Sequence, residues 1–387
     1  MFKTIRQTFE VTRIYLRSLS GRSGLTLATM LCVALAVATL VGLGALNQGL
    51  VNAIERSGDA DTVLVMRGGT QAEVNSNITR EQVELLARSI DHARFSPEVN
   101  LIVDGYRKQG DERANISLRG LTAQGIELRR AALTAGRWPG EGLAELVVGA
   151  NIARDYQGMK IGDQVILGAT IWKVVGEFAS DGRLWESEIW GDLAAVQSLF
   201  DRPNLYQSVR ILPSDRNSGL SRLQQSSNSN PRLQLSVISE ADYYRAQAAK
   251  TTELAQLLAW PLALLMAVGA VVGALNTMSS MVVARSVEIS TLRLIGFSRT
   301  AIFCGLVLEC VLICVIAGFL GLCVSYAFLD GLFASTLGGG ITRIGYVLEF
   351  TTTGTWQGMG LAALIGLLGS TSPAISACLQ PISARVD

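Results

Sequence analysis

The chain has 387 residues, of which 49% are hydrophobic and 17% are charged, and its formal net charge is +1 at pH 7. This composition is too apolar for an ordinary soluble domain of this length, so membrane-spanning segments are expected. The near-zero net charge gives no reason to expect a nucleic-acid partner or an acidic ligand.

The first 23 residues combine apolar and basic side chains, a pattern typical of a helix that lies in the membrane interface. Phe2 and Phe9 are among the apolar ones, and Lys3 and Arg17 are among the basic ones. A solvated basic leader is the alternative. A cleaved signal peptide is disfavoured, because the apolar run that follows has about 23 residues where a signal peptide has roughly 7–15.

Four apolar runs are each long enough to cross about 30 Å of hydrocarbon, which takes roughly 20 helical residues. The segment before the second run is also compatible with helix, so that span could continue outward as a stalk. In the second run, Gly269 and Gly273 form a G-x-x-x-G pattern that favours close helix packing. The four predicted spans are residues 24–46, 257–284, 302–326 and 356–379.

The orientation of the spans follows from their basic flanks, because cytoplasmic flanks carry an excess of Lys and Arg. Five basic residues precede the first span, three lie in the link 285–301, and Arg385 lies in the tail 380–387. The loop 327–355 holds only Arg343. Both termini and the link are therefore predicted to be cytoplasmic, with residues 47–256 outside.

The segment 47–256 has the features of a folded α+β domain. It holds 23 basic and 25 acidic residues between positions 47 and 250 and no long apolar run. Thr79 followed by Gln82 predicts a capping box at the start of a helix. Eight short β-like runs are bounded by turn residues, namely DTVLVM, NLIVDGYR, NISLRGL, AELVVG, DQVILG, TIWKVVGEFA, SVRILP and LQLSVIS.

The sequence excludes several known catalytic and metal-binding motifs, and it indicates no catalytic site in their place. His92 is the single histidine, which leaves too few ligands for a His-based zinc site and too few members for a Ser-His-Asp triad. No G-x-x-x-x-G-K-[ST] motif occurs, so these residues have no P-loop for ATP. We therefore predict no catalytic residue, no metal site and no cofactor in this chain, and interpret the glycines of 337–346 as a loop.

The link 285–301 predicts a short helix that ends at Gly296, with Ser298 as the N-cap of the next span. Ile289, Leu292 and Ile295 would form an apolar stripe beside the charged side chains. One interpretation is an ordinary turn whose arginines only set topology; the other is a docking helix for a cytoplasmic partner. The docking interpretation assigns the contact to Arg285, Glu288, Ile289, Leu292, Arg293, Gly296 and Arg299.

This link resembles that of the FtsX-like or MacB-type permeases of ATP-binding cassette (ABC) systems. Their pattern R-x-x-E-I-x-x-L-R-x-I-G-x-S is matched from Arg285 to Ser298, and Glu309 falls where the family usually keeps an acidic residue. The end of the fourth span, PAISACLQP, is similar to the family's closing segment. It departs from the family at Ile375 and Ser376, where arginines are common.

The resemblance implies an α-helical membrane protein with four transmembrane helices and a large extracytoplasmic α+β domain, the MacB-type periplasmic core domain, between helices 1 and 2. It implies a permease subunit that pairs with a second copy in the bacterial inner membrane and docks on an ABC ATPase dimer that binds ATP and Mg. A periplasmic membrane-fusion adaptor and membrane lipid are further expected partners. Efflux or export by mechanotransmission is the favoured function; an FtsX-type regulator of a cell-wall hydrolase and a lipoprotein-release permease are the alternatives.

Glu309 is expected to face protein rather than lipid, because a charged side chain in a span costs roughly 2.5–3.5 kcal/mol on insertion scales. An intramembrane enzyme that uses Glu309 as an acid or base is disfavoured, since no second carboxylate lies in the spans as predicted.

The predicted topology can be tested by labelling single cysteines introduced into a variant that lacks the native ones. A cysteine at position 290 should react only with reagent on the inside, and cysteines near positions 120 and 340 only with reagent on the outside. Labelling from the opposite side at any of these positions would overturn the assignment of the basic flanks.

Overall fold

The structure is a computed structural model, and it describes residues 7–8, 23–90, 92–108, 113–215, 218–230, 233–335 and 345–379. The chain divides into two compact units. The helical unit comprises the chain up to Gly49, Glu253–Leu332, and the chain from Leu348 onward. The sheet unit comprises Leu50–Thr252 and Phe333–Val347. The predicted interfacial helix, apart from residues 7, 8 and 23, the tail 380–387 and most of the glycine-rich loop lie outside the described residues.

Four long helices carry the predicted spans. Among the described residues they are the helices that are long and apolar enough to cross a membrane. Each contains its predicted run and extends beyond at least one end of it, because polar residues flanking the run continue the backbone hydrogen bonding. Their bounds are α1 Ser23–Glu55, α7 Glu240–Ala284, α9 Arg299–Leu329 and α10 Thr352–Leu379.

Helix α7 is the longest element of the chain. Its 45 residues correspond to roughly 68 Å at 1.5 Å per residue, about twice the thickness of the hydrocarbon. The segment 241–256, compatible with helix in the sequence, is helical, and Pro261 is accommodated inside the helix.

Small residues allow the long helices to approach each other closely. A methyl group added at Gly321 of α9 would lie 2.4 Å from the carbonyl oxygen of Ala34 on α1. One added at Gly366 of α10 would lie 2.8 Å from the Cα of Val311 on α9. A side chain at either position would therefore collide with the backbone of the neighbouring helix, which is typical of helix packing in membranes.

The sheet unit is built around a ten-stranded sheet of the described residues, with order β12-β1-β11-β3-β4-β9-β6-β8-β5 and β7 paired to β8. Pairing is antiparallel except between β4 and β9 and between β6 and β8. Two small two-stranded sheets are formed by β2 with β10 and by β13 with β14. The strands are β1 Val63–Arg67, β2 Ile78–Thr79, β3 Arg94–Tyr106, β4 Arg113–Leu121, β5 Ala132–Gly136, β6 Glu145–Gly149, β7 Gln164–Leu167, β8 Thr170–Ala179, β9 Glu188–Asp192, β10 Leu205–Tyr206, β11 Ser208–Leu212, β12 Leu235–Ser239, β13 Phe333–Ser335 and β14 Gly345–Val347.

Shorter helices connect these strands. They are α2 Arg80–Ala87, α3 Ala123–Leu128, α4 Ala150–Asp155, α5 Leu193–Leu199 and α6 Gly219–Ser229, with two 3₁₀ turns at Glu73–Asn75 and Leu184–Ser187. The capping box predicted for α2 is confirmed: the hydroxyl of Thr79 accepts from the amide of Gln82, and the side chain of Gln82 accepts from the amide of Thr79.

All eight β-like runs of the sequence are confirmed as strands, because alternating or continuous apolar residues between turn residues are a strong signal. Six strands were missed: β2, β5, β9, β10, β13 and β14. Most of them are short or lack an alternating apolar pattern, so their pairing is decided by neighbours that are distant in the sequence.

A matched pair of glycines on α10 tests the close approach of the membrane helices. Gly366→Ala should lower the free energy of unfolding by about 1–3 kcal/mol, because the added methyl overlaps the backbone of α9. Gly360→Ala is the control, since a methyl there meets no atom within 4 Å and gains the same helix propensity. Unfolding of the full chain in mild detergent measures both; equal stability of the two variants would contradict the packing.

Candidate functional site

The link between α7 and α9 forms the short helix α8, Ser286–Leu294. Gly296 ends it with a φ of +102°, a value that favours glycine. The amide of Phe297 donates to the carbonyl of Leu292 at 3.1 Å, which closes the last turn. The hydroxyl of Ser298 accepts from the amide of Ala301 at 3.2 Å and caps α9. Both helix-end signals found in the sequence are therefore confirmed.

An ion pair between Arg285 and Glu309 anchors α8 to the bundle. Arg285 is 7% exposed and lies between α7 and α8, and Glu309 on α9 is fully buried. The Nη1 atom of Arg285 is 3.0 Å from both carboxylate oxygens of Glu309. Glu309 faces protein, as expected. The sequence predicts separate roles for these two side chains, and the structure brings them together.

One face of α8 packs inward. Ile289 is buried in the core of the helical unit, and Leu292 and Phe297 pack against that core. The apolar stripe of Ile289, Leu292 and Ile295, predicted to contact the partner, is not exposed as one surface: Ile289 is buried, Leu292 is half-buried and Ile295 is exposed. The physical reason is that the adjoining helices cover this side of α8, so its apolar side chains pack within the chain.

The opposite face of α8 is exposed and still apolar. Val287, Leu294 and Ile295 are 76%, 70% and 71% exposed. Glu288 and Thr291 are exposed beside them, at the spacing of a single helical face. Of the other basic residues assigned to this contact, Arg293 is half-buried and Arg299 is exposed. Large exposed apolar side chains on one helical face are typical of a contact surface.

Gly269 and Gly273 make no close packing contact among the described residues. A methyl group at either position would meet no atom within 4 Å. Their G-x-x-x-G pattern is therefore not used for packing within the described part of this chain, in contrast to Gly321 and Gly366.

A second group of buried charges, which was not predicted from the sequence, lies in the sheet unit. Arg119 on β4 donates to Glu73 and Glu188, each at 2.7 Å, and to Glu98 at 3.1 Å. Arg210 on β11 pairs with Glu73, Glu98 and Glu240, and Arg129 pairs with Glu98. The available signal was the position of arginines inside apolar strand patterns, where an unpaired charge would be costly.

The arginines beside Glu73 determine its ionisation, whereas burial outweighs the arginines at Glu98 and Glu240 and raises the pKa of both. Burial by itself raises the pKa of Glu73, but the charges of Arg119 and Arg210 outweigh burial, so the pKa is lowered. Glu73 is therefore a carboxylate at neutral pH, as its ion pairs require. Among the described residues, no group of three or more His, Cys, Asp and Glu side chains could hold a metal ion.

Comparison with known proteins identifies both parts of the chain. The family model for the MacB-like periplasmic core domain matches residues 26–242, and the model for the FtsX-like permease C-terminal region matches residues 261–382.

Three individual proteins illustrate the similarity. "Macrolide export ATP-binding/permease protein MacB" of Bdellovibrio bacteriovorus is 26% identical over 402 residues, covering 94% of this chain and 59% of that protein. The protein of the same name from a Shewanella species is 22% identical over 403 residues, covering 97% and 60%. The chain thus spans about three fifths of the length of these curated relatives. The periplasmic region of MacB from Actinobacillus actinomycetemcomitans aligns with a TM-score of 0.39 and 13% identity, over 50% of this chain and 94% of that one.

The ion pair at the start of α8 can be tested with a double-mutant cycle. Arg285→Met and Glu309→Gln should each lower the free energy of unfolding by about 3–5 kcal/mol, because each leaves a buried charge unpaired. The double variant Arg285→Met/Glu309→Gln should lose less than the sum of the two.

The exposed pair Arg80–Glu84 provides the control cycle, with side chains 66% and 55% exposed. Its coupling should not exceed about 0.5 kcal/mol. Additive losses for Arg285 and Glu309 would show that the two side chains do not stabilise each other.

Proposed function

The chain belongs to the family of MacB-type, FtsX-like permeases of ABC transporters, and we propose that it converts the closure of an ATPase on ATP into movement of its sheet unit. ATP and Mg²⁺ would bind to the ATPase and not to these residues. The activity proposed is efflux or export by mechanotransmission, which accords with the macrolide export in the names of the relatives.

The observation that carries this proposal is the exposed apolar face of α8. Val287, Leu294 and Ile295 present large side chains with no covering contact among the described residues, and Glu288 lies beside them. Such a face can insert into a cleft of a partner, with the apolar side chains supplying burial and the charge fixing the register. The partner proposed here is an ABC ATPase subunit, in a complex with two copies of each.

A movement of α8 can reach the rest of the chain only if α8 is held firmly against the bundle. Arg285, the buried Ile289 and the half-buried Leu292 hold α8 against the bundle, so their proposed role in coupling is to position the docking face. Along the chain, α1 and α7 each contain residues of both units. The backbone hydrogen bonding of each helix thus runs from one unit into the other along the chain, which supports a transmission of movement through them.

The remaining parts of the proposal concern location and assembly. The chain is a membrane permease, and we place it in the bacterial inner membrane with both termini in the cytoplasm. A second copy would contact the open face of Gly269 and Gly273, where small residues permit close approach of helices. A periplasmic membrane-fusion adaptor completes the assembly proposed for efflux.

Replacement of one exposed residue of α8 tests the docking. Leu294→Asp should reduce co-purification of an ATP-binding chain at least about tenfold, because a charge without a partner at an apolar contact costs several kcal/mol. The measurement is azido-ATP labelling of proteins retained by the tagged full chain from detergent-solubilised membranes.

The control is Leu143→Asp, the same change at an exposed position in the sheet unit. Both variants should reach the membrane in equal amounts, since neither alters a span. Retention of the labelled chain by the Leu294→Asp protein at the level of the control would exclude this face of α8 as the ATPase contact.

A further inference from the structure

The sheet unit contains a cavity of about 220 Å³ whose charged lining residues are mostly arginines. It lies beside the end of α1, the end of α3 and the turn that contains Trp185. Its volume exceeds the roughly 30 Å³ that one water occupies in the liquid, so it has room for a small ligand. The charged residues of its lining are Arg56, Arg129, Arg130, Arg183 and Arg210, with Asp59 and Glu240 as the acidic ones.

The two acidic side chains do not neutralise this lining. Glu240 accepts from Arg210, and Asp59 lies 3.4 Å from Arg130. Arg210 also pairs with Glu73 and Glu98, so its guanidinium is fully used by the buried network. Arginines outnumber carboxylates in the lining itself, five to two, and two of them, Arg129 and Arg210, also pair with carboxylates of the buried network.

Arg129, one of the lining residues, has unused donors. It is 3% exposed, and its Nη2 atom pairs with Glu98. Its Nε and Nη1 atoms are buried without a hydrogen-bond partner among the described residues. Its Cζ atom lies 4.0 Å from the ring centroid of Trp185, which holds the guanidinium in place. A buried donor without an acceptor is costly, so a missing acceptor is indicated here.

Arg183 supplies a second cationic group. Its side chain is half-buried and makes no ion pair with any described residue. The cavity is reached past exposed side chains of Arg56 and Arg130. A ligand entering there would contact Arg129 and Arg130, which follow α3, and Arg183, which lies just before Trp185.

We propose that this cavity is a binding site for a phosphate-sized oxyanion, held by Arg129 and Arg183. A guanidinium group presents its N–H donors in a fork that matches the oxygens of a phosphate, and the hydrogen bonds to an anion are charge-assisted. A cation is disfavoured by the surplus of arginines, and an apolar ligand would leave the donors of Arg129 unsatisfied. This site is independent of the proposed docking of α8.

The test is calorimetric titration of the purified full chain with inorganic phosphate, at constant ionic strength maintained with chloride. Phosphate should bind to the native protein, and Arg183→Gln should weaken binding about tenfold through the loss of a charge-assisted hydrogen bond. Arg183 lies outside the buried ion network, so this variant should fold. Arg88→Gln, which removes an exposed arginine elsewhere in the sheet unit, should bind phosphate as the native protein does.

The second arm replaces phosphate with dihexanoylphosphatidylglycerol below its micelle concentration, which offers the same group on a lipid. Binding in either arm that depends on Arg183 but not on Arg88 supports the site and identifies the source of the phosphate group. Absence of binding in both arms, or equal binding by the Arg183→Gln and Arg88→Gln proteins, would overturn the proposal.

Discussion

Glu309 lies inside a bundle of apolar helices, where neither hydrocarbon nor packed side chains can solvate a carboxylate. The carboxylate of Glu309 is tolerated there because the Nη1 atom of Arg285 lies 3.0 Å from both of its oxygens. Because Arg285 is located between α7 and α8, this one interaction connects the end of the second span, the start of the short helix and the third span. The position of α8 against the bundle follows from it.

That position decides which side chains of α8 are available to a partner. Once Arg285 faces Glu309, the side of α8 that carries Ile289 and Leu292 is directed into the core of the helical unit. The side with Val287, Leu294 and Ile295 is left uncovered. The two sides of α8 thus have different roles. The inward side holds the helix against the bundle, and the exposed side is available for a contact with a partner.

The sheet unit manages its buried charges differently. In the helical unit one carboxylate meets one guanidinium, whereas in the sheet unit Glu73, Glu98, Glu188 and Glu240 share three arginines. Glu98 accepts from all three arginines, and the Nε and Nη1 donors of Arg129 remain without an acceptor among the described residues. A buried donor without an acceptor is costly, and this cost is the physical basis of the anion site proposed beside the network.

The sequence by itself determined the features that depend on local pattern. Runs of apolar residues identified the four spans, alternation identified eight strands, and Thr79, Gly296 and Ser298 identified helix ends, because these signals act within a few residues. The tertiary structure alone decided that Arg285 pairs with Glu309 and that Arg119 contacts three glutamates. It also decided that Ile289 and Leu292 pack inward while Leu294 is exposed. A short amphipathic helix has no preferred partner of its own: which face it buries depends on helices that are distant in the sequence, and local periodicity carries no information about them.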